Sequence, residues 1–450
     1  MTNSIFGTDG IRGKANSYPM LPDVVLRIGQ AIGSYFKRQH HRPRILIGKD
    51  TRISCYMLEQ SLCSGILSVG ADALFIGPLP TPGVAYLTRG LRASAGIVIS
   101  ASHNPFYDNG IKIFDASGYK LPNEAEQAID SMLHRANTEL PTNENLGTAR
   151  RIDDACGQYA VFLKEQFPKH LSMEGLRIIV DCANGAGYRV APKVFRELGA
   201  EVFLIGDQPN GLNINANCGA LHPSKLQADV QLYKADIGIA LDGDADRLLI
   251  VDDQGEYLDG DVILGICAKH MLANSNLHAN TLVATDVSNI GLEREMEACG
   301  GKLIRVRIGD RFVVEEMRRG GYSLGGEKSG HIIHQGYATT GDGILAALKV
   351  IEIALLKQKT IAMLRQEVPL VPQIMRDIDV PSKPPFSELA RFSELINAVQ
   401  NKIGKSGRLL CRYSGTEQKA RLMLEGEDTH MLEQYSQELA HTLLRDINAQ

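Results

Sequence analysis

Three aspartates at alternate positions, Asp242, Asp244 and Asp246, close the segment D-I-G-I-A-L-D-G-D-A-D-R at residues 236–247. In an extended strand that spacing puts all three on one face, and in a tight loop it lets three hard oxygens converge on one cation. Gathered without a cation, the carboxylates would repel one another and raise their own pKa values. The pattern therefore predicts a magnesium-type site. An EF-hand is excluded, because Arg247 stands where that loop needs glycine and the context is a strand. A hydrolase using Asp242 as an aspartyl nucleophile is the rival chemistry.

Three further segments carry reactive groups. G-I-V-I-S-A-S-H-N-P-F-Y-D-N-G-I-K-I-F, residues 96–114, sets a polar tip between two apolar strands and offers Ser100, Ser102, His103, Asn104, Asp108 and Lys112. A hydroxyl with a histidine and a lysine nearby can accept a phosphoryl group, although Asn-Pro and Asn-Gly would equally make an ordinary hairpin turn. L-G-G-E-K-S-G-H, residues 324–331, brings Glu327, Lys328, Ser329 and His331 into a glycine-framed loop, where Glu and Ser suit neighbouring sugar hydroxyls. C-R-Y-S-G-T-E-Q-K-A-R, residues 411–421, offers donors from Ser414, Gly415 and Thr416 and charge from Arg412 and Arg421. It reads as a cradle for a non-reacting phosphate, or as a polar turn with arginines at its rim.

Other motifs fail. The G-K-S at 404–406 has Val399 where a P-loop needs its first glycine, no G-x-G-x-x-G opens a helix after a strand, and no H-E-x-x-H is present.

These loops need a scaffold of strands. Short runs of Ile, Val and Leu alternate with longer segments of helical period, the signature of a mostly parallel α/β sheet. Residues 44–77, 177–206 and 281–309 repeat one plan of strand, turn, helix and strand ending in a glycine turn. The expected fold class is α/β, with three similar mixed domains at residues 1–150, 151–255 and 256–369. A smaller α+β domain at 370–450 would hold two strands, 408–413 and 421–425.

The chain has 450 residues, more than one core usually organises, with 44% hydrophobic and 22% charged residues. A net charge of −4 gives no broad basic field, which argues against nucleic acid as a partner. The eight cysteines form no C-x-x-C pair and read as reduced thiols of a cytoplasmic protein. The opening M-T-N-S-I-F-G-T-D-G lacks a basic stretch followed by an apolar core, and no apolar run could span a bilayer.

In order along the chain, F-G-T-D-G-I-R-G at 6–13, S-A-S-H-N-P at 100–105, D-G-D-A-D-R at 242–247, G-E-K-S-G-H at 326–331 and R-Y-S-G-T-E at 412–417 resemble the α-D-phosphohexomutase family. The resemblance implies four domains around a central active-site cleft. It makes Ser102 a phosphoserine, and the metal Mg²⁺, held by Asp242, Asp244, Asp246 and an oxygen of the Ser102 phosphate. Arg12, His103, Lys112 and Arg247 would line the same centre, with Lys112 as proton carrier and His331 assisting near the reacting oxygen. Glu327 and Ser329 would take the sugar hydroxyls, and Arg412, Ser414, Gly415, Thr416 and Arg421 the distal phosphate. The implied substrate is a small phosphosugar, with a sugar bisphosphate as intermediate and activator and a homodimer as a possible assembly. G-T-D-G-I-R-G and I-G-D-R-F-V at 308–313 look like the aminosugar branch, which interconverts glucosamine 6-phosphate and glucosamine 1-phosphate; glucose and mannose phosphates are the alternative. Three positions depart from the family pattern: Lys328 where Gln or Met is expected, Gln418 for Pro, and Ala245 for Gly.

Overall fold

The computed structural model describes residues 4–7, 9–133, 140–415 and 417–448. The three stretches of matched spacing fold alike. Each forms a parallel strand pair around a helix: Arg44–Lys49 with Asp72–Pro78, Arg177–Asp181 with Glu201–Ile205, and Thr281–Thr285 with Lys302–Val306. A third parallel strand, Ala95–Ile99, Ile237–Leu241 or Leu324–Gly326, lies on the other side of the first. An antiparallel strand then turns back beside it: Asp108–Asp115, Leu248–Asp252 or Ile332–His334. The third strands are buried along their whole length, which is why their sequences run apolar without alternation. Each unit thus places its polar loop at the same point, the carboxyl end of the third strand, where open α/β sheets bind ligands.

The first sheet is extended to seven strands by Phe6–Gly7 and Gly10–Lys14 at one edge and Ala149–Arg151 at the other; the second has five and the third four. The helix Gly343–Lys357, G-I-L-A-A-L-K-V-I-E-I-A-L-L-K, is apolar nearly all round and packs on two strands of the second sheet as well as on the helix Gly260–Ala273. One continuous apolar core accordingly runs from Leu46 to Val368 and joins the three units.

The C-terminal portion has three strands where its sequence suggested two. Gln373–Asp379 pairs antiparallel with Lys419–Glu425, which pairs with Arg408–Tyr413. The additional strand is half-exposed at a sheet edge, and charged residues interrupt the apolar run of Q-I-M-R-D-I-D. Helices Ala390–Ile403 and Thr429–Asn448 cover one face of this sheet. Among the described residues no helix is long and apolar enough to cross a membrane. Five of the eight cysteines are buried and all are free, Cys299 being the exposed one.

Candidate active site

The loop after Ala95–Ile99 carries Ser102 in a left-handed conformation, φ +50°. Such backbone persists only where its surroundings hold it. The Ser102 amide donates to Ser100 Oγ at 3.0 Å, and its carbonyl accepts from Asn215 Nδ2 at 2.9 Å and Arg52 at 3.2 Å. Both of these donors also reach the Asn104 carbonyl, and the fully buried Arg52 is itself ion-paired with Asp50. Ser102 Oγ, held in this way, donates to Asp242 Oδ2 at 2.5 Å, a contact spanning 140 residues of chain.

The aspartates sit in a tight turn closed by the Ala245 amide on the Asp242 carbonyl, with Ala245 at φ +55°. The left-handed position is one that glycine would adopt without strain, in keeping with the expectation of glycine at Ala245. One carboxylate oxygen from each of Asp242, Asp244 and Asp246 lies within 4.8 Å of the others, and all three residues are buried. Burial pushes the Asp242 carboxyl well above the ordinary range, and Asp246 and Asp244 add to the push. Burial acts on Asp246 in the same sense but is outweighed by Lys112, His331 and Arg247, which hold it well below. Lys112 is buried, which alone would lower it, yet Asp244, Asp9 and Asp246 keep it well above the usual lysine value. Its ammonium donates to Asp244 at 2.9 Å and to Asp246 at 3.2 Å. The Oδ1 atoms of Asp244 and Asp246 are buried without a hydrogen-bond partner. Two orphaned anionic oxygens beside a third carboxylate fit a hard divalent cation.

A cleft of about 760 Å³ opens over this centre, lined by Arg12, Ser102, His103, Lys112, Asp246 and Arg247 from the first two units and by Glu327, Ser329 and His331 from the third. Burial and the Arg247 guanidinium pull the His103 imidazole down to about 4, so it is neutral near pH 7. Glu327 accepts from the Gly309 amide at 3.0 Å and faces Ser329 Oγ at 3.4 Å. His331 Nε2 accepts from the Gly341 amide at 2.9 Å, and Nδ1 lies 3.7 Å from Asp246. Its ring lies in the cleft wall between Asp246 and Asp310, 3.8 Å from the latter.

The phosphate cradle stands apart. Arg412, Ser414, Gly415 and Arg421 do not line the cleft, and Thr416 lies outside the described residues. Arg412 and Arg421 are direct cross-strand partners, an arrangement that like charges disfavour unless an anion or acid joins them. Asp377 and Glu417 take Arg421 here, at 3.3 and 2.6 Å.

The chain matches the phosphoglucomutase/phosphomannomutase alpha/beta/alpha domain I over residues 3–139, domain II over 158–255, domain III over 259–370 and the C-terminal domain over 372–442. The phosphoglucosamine mutase of Desulfovibrio desulfuricans is 49% identical over 449 residues, covering 99% of this chain and 100% of its own. That of Geobacter sp. strain M21 is 51% identical over 426 residues, 94% of each. The chain belongs to the phosphoglucomutase/phosphomannomutase family. A phosphoglucomutase/phosphomannomutase family protein of Burkholderia thailandensis shares the fold at a TM-score of 0.82 and 23% identity, over 99% of this chain and 98% of its own. The Aspergillus fumigatus N-acetylphosphoglucosamine mutase, solved with GlcNAc-6P and magnesium, has a TM-score of 0.70 at 16% identity, over 98% of this chain and 96% of its own.

Within this family member several residues that support the site escaped the sequence reading. Asp50, Arg52 and Asn215 pin the Ser102 loop, and Thr81 Oγ1 donates to Asp244 at 2.6 Å. Lys120 bridges Asp9 and Asp310, tying the first unit to the third across the cleft. The available signal was charge directly after a strand: D-T-R at 50–52 follows the first strand of the first repeat, Arg44–Lys49.

Proposed function

We propose that this chain interconverts glucosamine 6-phosphate and glucosamine 1-phosphate through a phosphorylated Ser102. The observation that carries the reading is the Ser102 hydroxyl fixed on Asp242 of a buried carboxylate triad at the head of a polar cleft. The names of the relatives at about half identity support the aminosugar. Phosphoryl transfer needs positioning and neutralised charge more than covalent chemistry by the protein.

Four units, residues 1–150, 151–255, 256–369 and 370–450, supply the phosphoserine, metal, sugar and phosphate loops. Asp242, Asp244, Asp246 and a phosphate oxygen on Ser102 would hold one Mg²⁺, which when bound supplies positive charge to the transferring group. Phospho-Ser102 gives its phosphoryl to the free sugar hydroxyl: the bond from phosphorus to Ser102 Oγ breaks and a bond to the sugar oxygen forms, while the Lys112 ammonium gives a proton to the departing Ser102 Oγ and is refilled by the proton that the sugar hydroxyl releases. Arg12 and Arg247 add charge at the transferred group, and the neutral His103 stands beside Ser102. Glu327 and Ser329 orient the sugar hydroxyls, and Arg412, Ser414, Gly415, Thr416 and Arg421 hold the phosphate that does not react. The bisphosphate then turns over, and its other phosphoryl passes back to Ser102 Oγ, whose proton already points at Asp242. Catalytic amounts of sugar bisphosphate prime the cycle. The enzyme works in the cytoplasm, as a monomer or homodimer, and its product feeds UDP-N-acetylglucosamine synthesis.

The test is conversion of glucosamine 6-phosphate with Mg²⁺ and a trace of bisphosphate, with glucose and mannose phosphates in parallel. Preference for the aminosugar and a dead Ser102→Ala variant are expected. An active variant would sink the phosphoserine mechanism, and preference for glucose or mannose phosphate would sink the substrate assignment alone.

A further inference from the structure

The sugar loop is attached to the C-terminal sheet through one side chain. Lys328, between the two proposed sugar-binding residues Glu327 and Ser329, lines the cleft with them, and its ammonium donates to Gln373 Oε1. It also lies 3.5 Å from Asp259 Oδ2, whose other oxygen caps the helix Gly260–Ala273 through the Asp261 and Val262 amides. The Lys328 carbonyl accepts from the Gly260 amide at 3.0 Å, so the backbone at this residue is fixed while its side chain crosses to the next unit.

Gln373 opens the first strand of the C-terminal sheet, directly after V-P-L-V-P at 368–372. Its amide is fully used: Nε2 donates to the Val287 carbonyl at 3.0 Å and to Glu425 Oε1 at 2.8 Å. Glu425, wholly buried, accepts also from the Ile290 amide and from Arg408 Nε, and Arg408 donates to the Ser288 carbonyl. Gln373, Glu425 and Arg408 are register partners and form one row across the three strands. The row Asp377, Arg421 and Arg412 lies four residues farther along each strand. An even offset puts both rows on the same face, about 13 Å apart. One end of this face is bolted to the third unit beside the sugar loop, and the other end carries the arginines proposed for the distal phosphate. A rotation at the bolted row moves the arginine row much farther than it moves Lys328.

We propose that Lys328 is a positioning residue that couples the sugar loop to the pivot of the phosphate-binding sheet, so that the sugar and distal phosphate are bound as one unit. The proposal rests on the mutase reading for the identity of the two subsites. It gives the cation at 328 a role that an uncharged thioether could not fill, since Gln373 Oε1 and Asp259 would lose their shared donor.

The test uses the full chain and calorimetric binding of glucose 1,6-bisphosphate, which spans both subsites, and of inorganic phosphate, which spans one. Lys328→Met and Gln373→Leu should each weaken the bisphosphate by about 5- to 150-fold, the range of ordinary coupling between sites, while phosphate affinity stays unchanged. The double variant should be no weaker than the poorer single one, and Lys328→Arg should recover most of the affinity. In turnover, KM for the sugar phosphate should rise more than kcat falls. Bisphosphate affinity unchanged in Lys328→Met, or effects of the two variants that simply add, would overturn the coupling. A wild-type protein that binds bisphosphate yet converts no glucosamine phosphate would overturn the substrate reading and leave the coupling standing.

Discussion

At the scale of single residues, the site depends on groups that never face substrate. Ser102 Oγ meets Asp242 because the Ser102 and Asn104 carbonyls are clamped by Arg52 and Asn215, one from the first unit and one from the second. Asn215→Ala removes one of the two clamps and leaves both carbonyls with Arg52 as their remaining donor. A loss of about 1–3 kcal/mol in stability is expected from a buried hydrogen-bond pair of this kind. Turnover should fall by more than that figure implies, because an ångström of drift at Ser102 is enough to spoil in-line transfer. Chemical denaturation and steady-state rates on the same preparation check it; a stable variant with unchanged turnover would show that Arg52 alone suffices. Lys328 shows the converse, a residue read as part of the sugar loop whose charged end is committed to Gln373 and Asp259.

At the scale of elements, the serine and aspartate loops were legible in the sequence because they follow strands buried on both sides. Residues 95–99 and 237–241 have no exposed position, so their apolar runs stop where the polar loops begin and the motif edges coincide with strand ends. The strand Gln373–Asp379 escaped because charged residues interrupt Q-I-M-R-D-I-D, whereas the half-buried strand at the opposite edge of the same sheet, Arg408–Tyr413, keeps the apolar run L-L-C. Arg52 and Asn215 escaped because their partners lie 50 and 113 residues away, and nothing local in G-K-D-T-R or N-I-N-A-N announces which loop they hold. The same distance dependence governs how the loops meet. Gly243 lies in the aspartate turn, and a Cβ there would come within 2.5 Å of the Ser102 carbonyl oxygen and 2.8 Å of Asn215 Nδ2. Gly243→Ala must push the serine loop off the aspartate turn, since both obstacles are fixed. The expected result is a folded protein whose turnover drops at least about 100-fold, as misplacement of reacting groups commonly costs. Circular dichroism with activity at saturating Mg²⁺ decides it, and near-normal turnover would mean that the loops have slack.

At the scale of the whole molecule, three units share one core, and a buried acid lies at their junction. Tyr159, on the helix Ala155–Glu165, packs against Gly83 of the first unit and donates to Asp342 Oδ2 at 2.6 Å, while Asp342 Oδ1 caps the helix Gly343–Lys357 through the Leu345 amide at 3.0 Å. Burial lifts the Asp342 carboxyl to about 6, against the pull of the Leu345 amide and the Tyr159 hydroxyl. Because the folded value lies above the unfolded value of 3.8, the folded protein holds an extra proton between these limits. This contribution therefore favours folding below about pH 4, is lost as pH rises to 6, and stays flat above, a change of about 3 kcal/mol in all. Asp342→Asn removes the titrating charge but gives up one well-placed acceptor, which returns about 1 kcal/mol. The variant should thus melt higher than wild type at pH 7, by about 1–2 kcal/mol of stability, with the advantage shrinking to nothing or reversing near pH 4. Thermal unfolding from pH 4 to 7 reads both slopes. A variant less stable at pH 7 would mean that the charged carboxylate, through its two hydrogen bonds, contributes more to the junction than its burial costs.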